Sequence, residues 1–427
     1  MAYTDFIAAI DLGTSHMVGM VGTKNATGAL SIIAYEVENS GSCIRRGCVY
    51  NVKETASKIK RLILKLENKL GGTKIGQVYV GLGGQSLRSI EHTVCKVLGT
   101  EGVVTEEIID SLYQECKDYR PDMLTVLDVV SPSYFLDDKP ESNPVGVPCS
   151  RIEARYKLIV GRPSLKLNIV NSISEQAKIE IAGILVSPLA LGDVVLSDNE
   201  KDLGCALIGF GAGVTTISVY KGGKLASLSV VPFGGNLITK DITNLRVVES
   251  EAERLKITYG SAKADRDNDM TIQVSLADGM GLREIKLAEL NGVIEARMDE
   301  ILENVYARLE ATGLMSVLGA GIVITGGGAA LKNLPAVMSE RLKMEVRYSA
   351  VRKGVVASGD LVVASNPEYA VAVGLLAKGT KNCALYIPPK PEPKIEPVVE
   401  PEPTVEPTPE PEPVKEKPKK EKKKGPG

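Results

Sequence analysis

The chain has 427 residues and a formal net charge of −2, too long for one core, so two or more domains are expected. Balanced charge leaves no electrostatic footprint for nucleic acid, and the absence of Trp with only four Phe leaves little for base stacking. The seven Cys include no CxxC pair and only His16 and His92 could join them, so a zinc centre is not expected and the thiols read as reduced cytosolic cysteines.

Residues 1–6 lack a basic stretch followed by an apolar one, so no signal peptide is expected there. Residues 6–10 form an apolar run ending in Asp11. A Gly-Thr-Ser turn follows, then runs over 16–21 and 30–37 separated by a turn at 24–28. Their β-branched content and turn residues predict a β-meander. From Val52 to about Leu70, Ile59, Leu62, Ile63, Leu66 and Leu70 recur at helical spacing, and Gly71 and Gly72 supply a stop. A strand is predicted over 75–80. Residues 85–163 carry short strand-like runs and a helix over 105–117, and read as an inserted subdomain. A helix is predicted over 174–186. The most apolar stretch, 183–196, contains Pro188 and Asp193 and is too short to span a bilayer. A second meander follows over 205–208, 215–220 and 224–231. From Pro388 the chain is Pro, Glu, Lys and Val, Glu-rich up to Glu412 and Lys-rich from Lys415; it is expected to be disordered.

The two meanders align without a gap. Ala8-Ala9-Ile10-Asp11-Leu12-Gly13 matches Ala206-Leu207-Ile208-Gly209-Phe210-Gly211. The period is too long for a solenoid. It predicts two similar domains, each presenting a glycine turn to a shared cleft. Such turns let backbone N–H groups approach phosphate oxygens without an intervening Cβ, so two of them could clamp a polyphosphate. Each turn leads from strand to strand, unlike the strand-to-helix loops of P-loop and Rossmann sites.

These segments resemble a known superfamily. Asp11-Leu12-Gly13-Thr14-Ser15 is similar to the first phosphate loop of the actin, Hsp70 and sugar-kinase proteins, and Phe210-Gly211-Ala212-Gly213-Val214-Thr215-Thr216 to the second. Val231-Pro232-Phe233-Gly234-Gly235-Asn236 resembles the segment after it, Glu251-Ala252-Glu253-Arg254-Leu255-Lys256 the adenosine-contacting helix, and Ile322 to Ala329 the adenosine loop. Within the superfamily, Ile44-Arg45-Arg46-Gly47 with Asn51, and Tyr79-Val80-Gly81-Leu82-Gly83-Gly84, resemble the FtsA cell-division family.

The resemblance implies an actin-like (ribonuclease H-like) two-domain α/β ATPase fold with an inserted subdomain. The first domain would take residues 1–84 and 163–190 with a return helix near 367–380, and the inserted subdomain 85–162. The second domain would take 191–235 and 317–366, with a further subdomain over 236–316 and the tail over 388–427. It implies ATP and Mg2+ as cofactors. Asp11 would hold Mg2+, usually through water. Gly13, Thr14 and Ser15 would hold the terminal phosphates from one side and Gly211, Ala212 and Gly213 from the other, with His16 and Val214 as further cofactor-binding residues. Glu253 and Lys256 would contact the ribose and adenine region and Gly327 and Gly328 would line the adenosine, with Gly235, Asn236, Gly326 and Ala329 as further cofactor-binding residues. Read without the family, Glu253 and Lys256 are three apart on one helix face and could be a local ion pair.

Two departures stand out. The family's second loop opens with Asp where this chain has Gly209, and its usual Thr is Val214. Phosphoryl transfer needs a positioned nucleophile and neutralised charge, so at most weak ATP hydrolysis is expected, with no catalytic residue assigned. Residues 417–427 have no apolar face and do not match the family's amphipathic membrane-anchor helix. The resemblance implies a cytoplasmic filament-forming scaffold, peripheral on the inner face of the membrane at the division site. Its partners would be the FtsZ C-terminal peptide, other divisome proteins, and itself. A pilus-assembly relative is the near alternative. A small-molecule kinase would need a catalytic carboxylate that Gly209 removes, and a chaperone-type ATPase a substrate domain after Lys378.

Overall fold

A computed structural model describes residues 5–99, 102–275 and 281–385; the expected disordered tail over 388–427 lies outside them. The first meander forms as β1 (Ile7–Leu12), β2 (His16–Lys24) and β3 (Leu30–Asn39). A two-rung hairpin, β4 (Ile44–Arg45) with β5 (Cys48–Val49), leads into α1 (Val52–Lys69). Asn51 caps α1 by accepting from the Glu54 amide at 3.1 Å, and Ile59, Leu62, Ile63 and Leu66 bury its apolar face. Gly71 and Gly72, at φ 68° and 89°, turn the chain away. β6 (Gln77–Leu82) follows.

The inserted subdomain holds β7 (Arg88–Val97), α2 (Glu106–Asp118), β8 (Thr125–Leu136), β9 (Lys139–Glu141) and β10 (Arg151–Gly161). Its sheet has the order β7-β10-β8-β9, and Leu112 and Cys116 of α2 are buried in its separate core.

Next come α3 (Ser164–Val170), a π-helical turn (Asn171–Ala177), β11 (Glu180–Val186), α4 (Ser187–Val195) and α5 (Asp198–Leu203). The helix expected over 174–186 is therefore mostly a strand. Helical geometry ends at Lys178, in the left-handed region at φ 61°. The apolar run after it pairs in parallel with β6. A continuous apolar run is compatible with a buried strand or a buried helix, and pairing decides it.

The second meander is β12 (Cys205–Phe210), β13 (Thr215–Lys221) and β14 (Lys224–Val231). Then follow α6 (Gly235–Ile242), α7 (Glu249–Tyr259), β15 (Thr271–Ser275), β16 (Leu282–Lys286) and α8 (Leu287–Glu310). β17 (Ile322–Thr325), α9 (Leu334–Leu342), β18 (Val346–Tyr348), α10 (Leu361–Ala364) and α11 (Ala370–Lys378) complete the order.

The internal repeat is a topological one. The first sheet runs β11-β6-β1-β2-β3 and the second β18-β17-β12-β13-β14. In both, the central strand pairs antiparallel with its hairpin partner and parallel with the strand on its other side. Leu12 faces Met17 across the first hairpin and Phe210 faces Thr215 across the second, so both hairpins close with turns of the same length. Alternate residues of β12 serve different cores. Cys205 and Leu207 face the core shared with the first sheet, α4 and α11, whereas Ala206 and Ile208 face α6, α8 and α9.

The inserted subdomain also touches the edge of the second sheet. The amides of Leu225 and Leu228 on β14 donate to Ser131 Oγ at 3.0 Å and Ser89 Oγ at 2.8 Å. At the base of the first sheet, Cys383 donates its amide to Phe6 O at 2.7 Å and accepts from the Gly76 amide at 2.9 Å.

Candidate functional site

The hairpin turns of the two sheets meet. A Cβ built on Gly213 would lie 2.5 Å from Thr14 Oγ1 and 2.9 Å from Arg46 Cα, so the second turn rests on the first and on the segment before α1. Thr14 Oγ1 accepts from the Gly47 amide at 2.9 Å. The Ser40 hydroxyl donates to Gly13 O at 2.7 Å, and the Ser40 amide to Ser15 O at 2.9 Å, fixing the first turn from outside.

The second turn is held on the N-terminus of α6. Gly211 O accepts from the Gly235 amide at 3.0 Å, and Ala212 O from the Asn236 amide at 2.8 Å. A Cβ at Gly234 would lie 2.5 Å from Gly211 O, so glycine is required there for the approach. Val214 instead packs its side chain toward the first-sheet core. Among the described residues, the amides of Thr14, Ser15, Ala212 and Gly213 donate to no protein acceptor. Four free N–H groups on two facing turns form an anion-binding arrangement.

Asp11 is the penultimate residue of β1, beneath the first turn, and is half-buried. Desolvation pushes its carboxyl up to about 6, opposed by a hydrogen bond from the Leu12 amide. A Cβ at Gly81 would lie 3.1 Å from Asp11 Oδ1 and 2.5 Å from Ser187 Oγ, so Gly81 lets the carboxylate and the first residue of α4 crowd onto β6. Among the described residues, no three His, Cys, Asp or Glu gather as a metal-binding group. A cation at Asp11 would therefore need oxygens from a ligand or water.

Glu253 and Lys256 lie on α7 behind α6. Lys256 Nζ bonds Glu253 Oε2 at 2.7 Å, Thr239 Oγ1 at 2.8 Å and Gly235 O at 3.2 Å. The local ion pair is real, and it also reaches the residue that holds the second turn. Gly326 (φ 86°), Gly327, Gly328 and Ala329 follow β17. Cβ atoms at Gly326 and Gly328 would lie 2.5 Å from Phe210 O and 2.9 Å from Phe210 Cβ, so this bend packs against the strand leading into the second turn.

Glu368, not expected from the sequence, stands before α11. Its Oε2 lies 3.9 Å from His16 Nε2, and its Oε1 is 3.7 Å from where Gly327 would carry a Cβ. It links the first hairpin to the glycine bend of the second sheet. A carboxylate so distant in sequence leaves no local signal. Gly81 and Ser187 are further site neighbours that the sequence does not announce, although Gly81 lies inside the Tyr79-to-Gly84 segment that carries the resemblance.

Comparison with known proteins accounts for this architecture. A family profile described as Cell division protein FtsA matches residues 206–374. The cell division protein FtsA of Porphyromonas gingivalis is 39% identical over 382 residues, covering 89% of this chain and 79% of that protein. That of Bacillus subtilis is 32% identical over 392 residues, covering 90% and 86%. A solved PilM-PilN type IV pilus biogenesis complex aligns with a TM-score of 0.60 at 16% identity, covering 87% of this chain and 97% of that one. That likeness speaks for the fold alone, and the pilus alternative is not favoured against the sequence relatives. The chain has an actin-like two-domain α/β fold with an inserted subdomain, and it belongs to the FtsA family of cell-division proteins.

Proposed function

We propose that this cell-division protein is a self-assembling scaffold gated by Mg-ATP, linking the FtsZ ring to the inner face of the membrane at the division site. The observation that carries the reading is the facing pair of turns with four free amides. In this reading Gly13 to His16 and Gly211 to Val214 hold the phosphates. Gly235, Asn236, Glu253, Lys256 and Gly326 to Ala329 surround the adenosine. Asp11, a desolvated carboxyl whose pKa is set by burial rather than by any neighbouring cation, takes Mg2+ together with phosphate oxygens and water.

We assign the first domain to residues 1–84 and 163–190 with the helix near 367–380, and the inserted subdomain to 85–162. We assign the second domain to 191–235 and 317–366, with 236–316 as the subdomain receiving the FtsZ C-terminal peptide. Self-assembly and contacts with other divisome proteins complete the role. Hydrolysis is at most weak, since no carboxylate stands at residue 209. ATP then serves to close and stiffen the cleft.

Titration calorimetry tests the reading. Mg-ATP is expected to bind the full chain, and an FtsZ C-terminal peptide to bind with an affinity that depends on ATP. No heat with Mg-ATP overturns the nucleotide site. No peptide binding in either state overturns the FtsZ link.

A further inference from the structure

Arg45 and Arg46 belong to a segment that carries the family resemblance yet has no role in the site above. They line a cavity of about 260 Å³ whose other walls include Thr14, Gly213, Gly234 and Asn236. Both turn tips and the start of an eight-residue helix therefore face this space. Both arginines are exposed. Arg45 stacks its guanidinium over Tyr50 at 3.8 Å, and Arg46 Nη1 donates to Gln85 Oε1 at 3.3 Å. Among the described residues neither has a carboxylate partner, so two full positive charges at a helix N-terminus stand uncompensated.

The backbone at Arg46 is specialised as well. It lies in the left-handed region at φ 48°, which an L side chain adopts only when its surroundings impose it. The Gln85 amide bonds Arg46 O at 3.1 Å, and the Gly47 amide bonds Thr14 Oγ1 at 2.9 Å. These contacts clamp the segment to the first turn, while Arg46 Cα meets the second at Gly213.

We propose that Arg45 and Arg46 seat the terminal phosphate of the nucleotide and thereby distinguish a triphosphate from a diphosphate. This rests on the nucleotide reading above. Lys256 lies on α7 behind α6, and the cavity runs past Thr14, Ala212 and Gly213 of the two turn tips to the arginines. A nucleotide with its adenosine near Lys256 and its phosphates along the turns would bring its far end into this cavity. Guanidinium donors pair with phosphate oxygens bidentately, and a ligand one phosphate shorter would leave them unused.

The test compares Mg-ATP, a non-hydrolysable ATP analogue and Mg-ADP by calorimetry on the full chain. In Arg45→Ala/Arg46→Ala, affinity for both triphosphates is expected to fall about tenfold or more, while ADP affinity stays within about twofold. Arg46→Gly suits the left-handed backbone and guards against misfolding. It should melt at the wild-type temperature yet show the same selective loss, and Arg46→Lys should keep part of the selectivity. Equal loss for ATP and ADP, or no loss for either, overturns the proposal and leaves the nucleotide site standing. Wild-type protein that binds neither nucleotide overturns both.

Discussion

The hydroxyl of Thr216 fills the space that a side chain at residue 209 would need: a Cβ built on Gly209 would lie 2.6 Å from Thr216 Oγ1. Thr325 flanks the same position across the sheet, and its own hydroxyl is buried without a hydrogen-bond partner among the described residues. Glycine at 209 thus belongs to a repacked strand end and is more than a missing carboxylate.

Restoring the acid should therefore require two changes. Gly209→Asp alone is expected to lose about 1–3 kcal/mol of folding stability through overpacking. Gly209→Asp/Thr216→Ala should recover most of that and raise Mg-dependent phosphate release about tenfold or more, by helping to place metal and water. Denaturant midpoints and a phosphate-release assay with a chelator control read both effects. An unchanged rate in a stable double variant would show that the carboxylate is not limiting.

Closure of the turns is tested at Gly213. Its missing Cβ is the gap into which Thr14 and the Arg46 backbone fit, and a backbone atom cannot swing aside as a side chain can. Gly213→Ala should hold the turns apart and weaken ATP binding about tenfold or more, measured by calorimetry. Wild-type affinity would mean that the turns need not meet.

The pH dependence follows from Asp11. Its pKa is raised to about 6 from 3.8, so the folded state favours the neutral acid. Its ionisation lowers stability as pH rises from about 4 to 6, and the penalty is complete above that. In chelator-treated protein at pH 7, Asp11→Asn should be more stable than wild type, by at most about 3 kcal/mol, with the difference vanishing below pH 4. The same variant should lose the Mg-dependent part of ATP affinity. Urea midpoints across pH, with and without Mg-ATP, test both halves. A variant that is less stable at pH 7 would contradict the assignment.

Tyr220 and Gly192 offer a test of packing where the linking helix α4 meets the second sheet. Tyr220 Oη is buried with no hydrogen-bond partner among the described residues, and burial pushes its pKa well above the ordinary tyrosine value. A Cβ on Gly192 would lie 2.4 Å from that oxygen. Tyr220→Phe should be neutral or stabilising by about 1 kcal/mol. Gly192→Ala should destabilise by about 1–3 kcal/mol, and less when combined with Tyr220→Phe. A double-mutant cycle on denaturant midpoints measures the coupling; strict additivity would mean the two do not touch in solution.

The hairpins were legible because short apolar runs bounded by turn residues leave few alternatives. Their equal turn length followed from the gapless match of residues 8–13 with 206–211. The helix expected over 174–186 failed because its apolar residues, Ile179, Ile181, Ala182, Ile184, Leu185 and Val186, carry no decisive period, and only pairing with β6 decided it. In the site, the facing of Thr14 and Gly213 matched the predicted paired turns, since both motifs were local. Glu368 and Ser187 were invisible because they reach His16, Gly327 and Gly81 through the fold alone.

The last described residues are stitched into the first sheet at the end of β1 remote from Asp11. Cys383 bonds Phe6 and Gly76, and the Leu385 amide bonds Lys74 O at 2.9 Å. Tension applied to anything fastened beyond residue 385 would enter the molecule there, bond by bond along the start of β1 and β6. It would spread through β1, β6 and, along the chain itself, α11, so load entering at this base is divided among three elements before it meets the cleft.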